Sequence, residues 1–296
     1  MAITADQPQV NLSEARGWRR TKNRIATAAM WIAFVLVIIP LGFVLYTTIA
    51  KGISIISWQF LTSPIPPQVA PADEGGIGPA VLGTIEITAI AALIAVPLGI
   101  LGAIYLNEYG GRGVLARLIG FMSDVMTGVP SIVMGLFLFS IWVLHFGFSG
   151  FAGALALACL MLPIVIRSTD EMLKLVPNPL REGSYALGAT KARVTITVVL
   201  PAAIGGIVSG ALLAIARAAG ETAPLLFTIL TVTAANPNVF SGANTAIPSQ
   251  IFANATSPYP GAQSRAWGAA LTLIVIAFVL MIAARFITAR FTRYSR

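Results

Sequence analysis

Apolar residues in this chain fall in long unbroken blocks, not in the alternating or one-face patterns of water-soluble elements. No charge interrupts Ile25 to Ala50 or Ile87 to Leu106, and the block from Val125 to Ile166 is uncharged for 42 residues. A helix rises about 1.5 Å per residue and the hydrocarbon core of a bilayer is about 30 Å thick, so about 20 apolar residues cross it. The 42-residue block is twice that length and is divided by the turn-forming stretch His145-Phe-Gly-Phe-Ser-Gly. Together with two later blocks, the pattern predicts an all-α membrane protein with six transmembrane helices, at about 25–50, 79–106, 125–144, 149–166, 204–230 and 266–285. Residues 1–24 then form an N-terminal tail, 25–290 one membrane domain and 291–296 a short C-terminal tail.

The polar stretches between the blocks differ in kind. Residues 51–78 are rich in Pro, carry Asp73 and Glu74, and predict an irregular loop with at most one interfacial helix. In 231–265, which is full of Asn, Pro, Ser and Gly, a short or re-entrant helix is expected at 246–255. Residues 167–201 alternate charged, small and apolar positions and predict two short helices on the membrane surface, the first announced by Leu175-Val-Pro-Asn-Pro-Leu180. Pro40, Pro97 and Pro130 interrupt apolar helices and are expected to kink them, with no chemistry assigned.

Composition narrows the function classes. Only 10% of the 296 residues are charged and mean hydropathy is +0.85, so a fused water-soluble catalytic domain is excluded. One cysteine, Cys159, and one histidine, His145, are too few for disulfide frameworks, Cys/His zinc sites or a Ser-His-Asp triad. No GxxxxGK[ST] pattern occurs, so nothing here cradles a nucleotide phosphate. The N-terminal apolar run is too long for a cleavable signal core and lacks a small-residue cleavage site close behind it.

The formal charge of +8 reads as topology and not as a nucleic-acid surface, because the basic residues stand at the ends of apolar runs. Sixteen of the nineteen lie on one side: Arg16, Arg19, Arg20, Lys22 and Arg24; Arg112 and Arg117; Arg167, Lys174, Arg181, Lys191 and Arg193; and Arg285, Arg290, Arg293 and Arg296. Lys51 and Arg265 fall on the other side. Both termini are therefore expected in the cytoplasm.

Two charges remain inside the fifth block, in Arg217-Ala-Ala-Gly-Glu221-Thr222-Ala-Pro224. Each costs about 2.5 to 3.5 kcal/mol at mid-bilayer, so neither is expected to face lipid. Gly206, Gly210, Ala214, Arg217 and Glu221 advance by four, four, three and four residues and are predicted to stack on one helical face, where small residues admit a close neighbour. A guanidinium there is a permanent planar donor suited to an oxyanion, and Glu221 can hold it by an ion pair. Mutual neutralisation of the two charges at a buried seam is the alternative. Arg167, at the end of the fourth block, has two readings: an anion receiver at the inner mouth, or a positive-inside anchor. Glu86 and Asp124, near span ends, are expected in solvated or packing roles.

The 167–201 segment contains Arg181-Glu182-Gly183-Ser184-Tyr-Ala186-Leu187-Gly188-Ala189, then Val198-Val-Leu200-Pro201. This resembles the EAA loop of binding-protein-dependent ABC importer permeases, in which Glu-Ala-Ala, Gly and Leu-Pro recur at this spacing. Glu182, Gly188, Leu200 and Pro201 fit, Val198 replaces Ile, and Gly183-Ser184 replaces Ala-Ala, keeping small residues in a close-packing position. Gly183 weakens that turn by about 1 kcal/mol relative to Ala. The stretch around Arg217 and Glu221 is similar to that of phosphate-specific permeases, in particular the PstA type, and the similarity extends over residues 25–290.

The resemblance implies a type I ABC importer permease fold in the bacterial plasma membrane, with a cytoplasmic coupling helix at 181–189. It further implies a phosphate pathway that includes Arg217, Glu221, Thr222 and Arg167, and four kinds of partner. These are a PstC-type permease completing a heterodimer, two PstB-type ATPases, a PstS-type phosphate-binding protein, and phosphate itself. ATP and Mg belong to the ATPases, and this chain is expected to bind no cofactor, metal or nucleic acid and to catalyse nothing. A permease for sulfate or molybdate would share the loop and topology, and an ATP-independent secondary anion transporter is a more distant alternative.

Overall fold

The computed structural model describes residues 15–111 and 113–293. Arg112 and Arg296 lie outside the described residues, as do the side chains of Arg16, Arg290 and Arg293. The chain divides into two units, 1–50 and 51–296. The first is occupied by α1 (Ala15–Gly52), an apolar helix with Pro40 inside it and enough length to cross a membrane.

In the second unit α2 (Trp58–Thr62) is a single turn capped by Ser57, whose hydroxyl accepts from the Phe60 N–H. The second span is α3 (Gly78–Ile104), extended by a π-helical turn at Tyr105–Tyr109. Next come α4 (Val114–Gly128) and α5 (Ser131–Leu138), the latter running on through a π-helical turn at Phe139–Val143 into α6 (Leu144–Phe146). The fourth span, α7 (Gly150–Lys174), is followed by α8 (Asn178–Ala186) and by α9 (Lys191–Val194), which continues through a π-helical turn at Thr195–Val199 into α10 (Leu200–Ala219). The chain closes with α11 (Ala223–Thr228), α12 (Ile247–Ala255) and α13 (Pro260–Arg293). Among the described residues five helices are long and apolar enough to cross a membrane, six if the α4–α5 pair counts as one broken span.

Three expectations are corrected. The third span is not a straight helix over 125–144: α4 begins at Val114, and the pair α4 and α5–α6 bends by 108° at Val129–Pro130. Proline disfavours helical geometry in the residue before it, and Val129 and Pro130 are both extended, with ψ of 127° and 136°. The fifth span does not run over 204–230. It starts at Lys191, so the second surface helix expected within 167–201 is the beginning of this span. It stops at Ala219 because Pro224 has no N–H to give the Gly220 carbonyl, and Gly220 caps the helix. Glu221 therefore lies beyond the helix on whose face it was expected. The short helix expected at 246–255 is present as α12.

Packing follows small residues. Ala91 and Ala95 of α3 and Ala154 and Ala158 of α7 form a central core with Ile87, Leu157 and Met161. Gly99 permits the approach of these two helices, since a Cβ there would lie 2.7 Å from the Val165 Cβ. A second apolar cluster, Ala103, Leu173, Val176, Val194, Val199, Ala203 and Ile207, underlies the 175–190 loop. At the opposite end of α3, Phe60, Ile65, Ile77, Ala80, Ile247 and Ala269 hold the 51–78 loop and α12 together.

Candidate functional site

The α4–α5 elbow, α7 and the C-terminal end of α10 enclose a cleft of about 250 Å³. Thr127, Val129, Pro130 and Ser131 line it from the elbow, Leu160, Pro163 and Ile164 from α7, and Arg217 and Glu221 supply its charges. Arg217 Nε lies 3.8 Å from Glu221 Oε1, an ion pair longer than a hydrogen bond. The Arg217 side chain is 70% exposed, whereas that of Glu221 is 24% exposed. The guanidinium thus offers donors to the cleft while a carboxylate stands beside it. A planar permanent cation of this kind suits an oxyanion. A larger cavity of about 680 Å³ near α2, α3 and α13 has no charged residue in its lining and does not fit such a ligand.

The small-residue stripe of α10 faces α7. A Cβ at Gly210 would lie 2.6 Å from the Ser168 Cβ, one at Gly206 would lie 2.5 Å from the Met172 Cγ, and Ala214 is fully buried. These positions seat α10 against its neighbour, and Arg217 follows at the mouth of the seam. Thr222 caps α11, half-buried, and is not among the cleft residues. Neither is Arg167, which pairs with Asp124 of α4 and donates to the Gly120 carbonyl. The structure therefore brings Arg217 and Glu221 together and leaves the other two pathway candidates outside the cleft.

In the 175–190 loop, α8 ends in a reciprocal pair of backbone bonds. The Ala189 N–H donates to the Ser184 carbonyl at 3.2 Å and the Gly188 N–H to the Tyr185 carbonyl at 2.9 Å, with Gly188 at φ +79°. This is a Schellman cap, and glycine meets its left-handed requirement without a Cβ penalty. Glu182, Tyr185, Ala186, Leu187 and Gly188 are exposed, Leu187 at 90%, so the loop presents a compact apolar and acidic knob. Ala189 packs back against the apolar cluster beneath the loop.

Two loop expectations change. Gly183 is not held small by packing within this chain: a Cβ there meets nothing within 4 Å, and the Ser184 hydroxyl donates to the Leu180 carbonyl. Arg181 does not belong to the outward face. Its guanidinium turns inward to Glu108 at the end of the second span, 3.0 Å away.

Sequence reasoning passed over Glu108, Asp170 and the structural role of Arg265. Asp170 pairs with Lys174 at 2.5 Å and accepts from Asn107 at 3.3 Å. Arg265, at 1% exposure, donates to the carbonyls of Pro67, Gln68, Ala70 and Pro71. The usable signal for Arg265 was its position against the positive-inside bias, next in space to a Pro-rich loop with few N–H groups to satisfy its own carbonyls. No local spacing reports a partner 73 residues away, as for Glu108 and Arg181.

Comparison with known proteins defines the class first. Residues 95–293 match the family described as binding-protein-dependent transport system inner membrane component, and the chain belongs to that family. It is 44% identical over 285 residues to phosphate transport system permease protein PstA 1 of Mycobacterium tuberculosis, covering 94% of this chain and 91% of that one. With phosphate transport system permease protein PstA of Yersinia pestis it shares 42% over 281 residues, 93% of this chain and 92% of that one. Within the class, this chain is a PstA-type permease. Solved structures give the same fold at low identity. A chain of a bacterial alginate ABC transporter matches with a TM-score of 0.62 at 16% identity, over 94% of this chain and 98% of that one. A chain of the inward-facing MetNI methionine ABC transporter matches with a TM-score of 0.57 at 18% identity, over 72% and 94%.

Proposed function

We propose that this chain is a permease subunit of an ATP-driven phosphate importer, forming half of the translocation pathway in a bacterial plasma membrane. Its PstA-named relatives support the substrate, and their description as permease components of a binding-protein-dependent system places ATP hydrolysis in another subunit. One observation carries the mechanism. A single helical run, Lys191–Ala219, begins at the coupling loop and ends at the Arg217–Glu221 cleft. At about 1.5 Å per residue these two points are about 40 Å apart along one continuous helical run, which includes the π-helical turn Thr195–Val199. In this reading, motion imposed on the loop reaches the cleft along that run.

In this reading both termini are cytoplasmic, the knob of α8 and Gly188 docks two PstB-type ATPases together with the equivalent loop of a PstC-type permease, and ATP and Mg stay on the ATPases. A PstS-type protein delivers phosphate to the opposite face. Arg217 attracts the oxyanion, and Glu221 holds the guanidinium in place between transport events. Rocking of the helices, driven by ATPase closure, exposes the cleft first to one side and then to the other.

The test is phosphate uptake in vesicles holding all four components, each omitted in turn, with sulfate and molybdate as competitors. Uptake should require every component and resist both competitors. Arg217→Ala should abolish uptake while the complex still co-purifies. Normal uptake by that variant would remove Arg217 from the pathway, and uptake by this chain alone without ATP would overturn the importer reading.

A further inference from the structure

α8 contributes no buried residue to the bundle. Its apolar side chains point away: Leu180 is 48% exposed, Tyr185 41% and Leu187 90%. Its one inward charge is Arg181, and the site that receives it is built from two spans. Nη2 donates to Glu108 Oε1 at 3.0 Å and to the Leu173 carbonyl at 2.9 Å, Nε donates to Glu108 Oε1 at 3.3 Å, and Nη1 donates to the Val176 carbonyl. The pair is buried, with side-chain exposures of 13% for Arg181 and 6% for Glu108.

Glu108 sits in the π-helical turn Tyr105–Tyr109, whose neighbouring residues reach the other elements of this end of the bundle. Asn107 donates to Asp170 of α7 at 3.3 Å, and the Lys191 ammonium, at the first residue of the fifth span, lies 5.1 Å from the centre of the Tyr109 ring. Three consecutive residues thus contact α7, α8 and α9. π-helical turns concentrate at functional positions because the extra residue re-aims side chains that a regular helix would send elsewhere.

We propose that Arg181 and Glu108 are the positioning residues that lock the coupling helix to the second span, so that a displacement of α8 moves α3 with it. The inference rests on the importer reading above and adds a second transmission route beside the Lys191–Ala219 run. A buried ion pair transmits such a displacement well, since removing one partner leaves an uncompensated charge and the contact is all-or-none where an exposed apolar contact would slip. Lysine cannot replace the fork, because one ammonium cannot span the Glu108 oxygen and the Leu173 and Val176 carbonyls in a plane.

The experiment uses the complete importer in vesicles, with phosphate uptake and ATP hydrolysis measured on the same sample for wild type, Glu108→Gln, Glu108→Asp and Arg181→Lys. Glu108→Gln should retain its ATPase subunits and its hydrolysis, while phosphate moved per ATP falls roughly 5- to 150-fold, the usual range of a coupling free energy between sites. Glu108→Asp should recover part of the ratio and Arg181→Lys less. A second reading leaves the Arg181–Glu108 pair and the named knob residues intact: spin labels at Leu180 and Leu101, in a Cys159→Ser background, should keep one separation through the nucleotide cycle. An unchanged uptake-to-ATP ratio in Glu108→Gln would overturn the proposal, as would a Leu180–Leu101 separation that changes with nucleotide. Wild-type vesicles that hydrolyse ATP but take up no phosphate would instead remove the importer reading itself.

Discussion

Replacing Arg265 with Met should release the Pro-rich loop at 64–77. The side chain fills a buried position at the start of α13, and four carbonyls converge on it at 2.5 to 3.3 Å: Pro71, Ala70, Pro67 and Gln68. A hydrogen bond to a charged group contributes about 1.5 to 3 kcal/mol, so four would total about 6 to 12 kcal/mol if each were lost without compensation. Two effects reduce that figure. Pro67, Gln68 and Val69 are exposed, so water replaces part of what the carbonyls lose. Methionine also escapes the desolvation of a buried guanidinium, which is several kcal/mol. The net cost of about 2 to 4 kcal/mol, at 1.4 kcal/mol per tenfold, raises the open population of the loop roughly 30- to 700-fold. Hydrogen exchange read by mass spectrometry on the purified complex checks this, because the Ala70, Gly76 and Ile77 amides are bonded within the loop, to Pro67, Pro64 and Phe60. Exchange of the peptide containing them should accelerate by that factor when reclosing is fast relative to exchange, with Arg265→Lys intermediate. Exchange within threefold of wild type would refute the view that this arginine holds the loop.

Other substitutions separate packing from exposed charge. Gly188→Val forces a β-branched residue to φ +79°, costs about 1 to 2 kcal/mol, and should reduce ATPase retention in pull-down, while Gly188→Asn should retain more because Asn tolerates the left-handed region. Gly210→Leu drives a side chain into Ser168 and should lower the thermal midpoint by an amount corresponding to about 1 to 3 kcal/mol. Gly183→Ala meets open space and should raise stability by about 0.5 to 1 kcal/mol. Asp124→Asn breaks a pair whose side chains are 36% and 64% exposed, and should change thermal stability by less than about 1 kcal/mol.

At the Arg217 cleft, local spacing and tertiary folding each decide part of the geometry. Spacing alone placed Gly206, Gly210, Ala214 and Arg217 on one face, and they do share one, because a helix of this length repeats every 3.6 residues whatever surrounds it. The same spacing placed Glu221 there too, but the helix ends at Ala219. The ion pair survives because a four-residue offset keeps the two side chains near each other even across the Gly220 cap.

Composition and block length by themselves determined that this is an all-α membrane protein with five or six membrane-crossing segments among the described residues. They could do so because each depends on the bilayer as solvent: it demands long apolar helices and removes charges from them wherever no partner exists. Tertiary structure alone decided the rest. The meeting of the Pro130 elbow with Arg217 across the cleft, the inward turn of Arg181 onto Glu108, and the capture of the Pro-rich loop by Arg265 all join residues far apart in the chain. A buried charge is satisfied by whichever partner the packed helices bring within about 3 Å of it, and that choice is made by the neighbouring helix and not by adjacent residues.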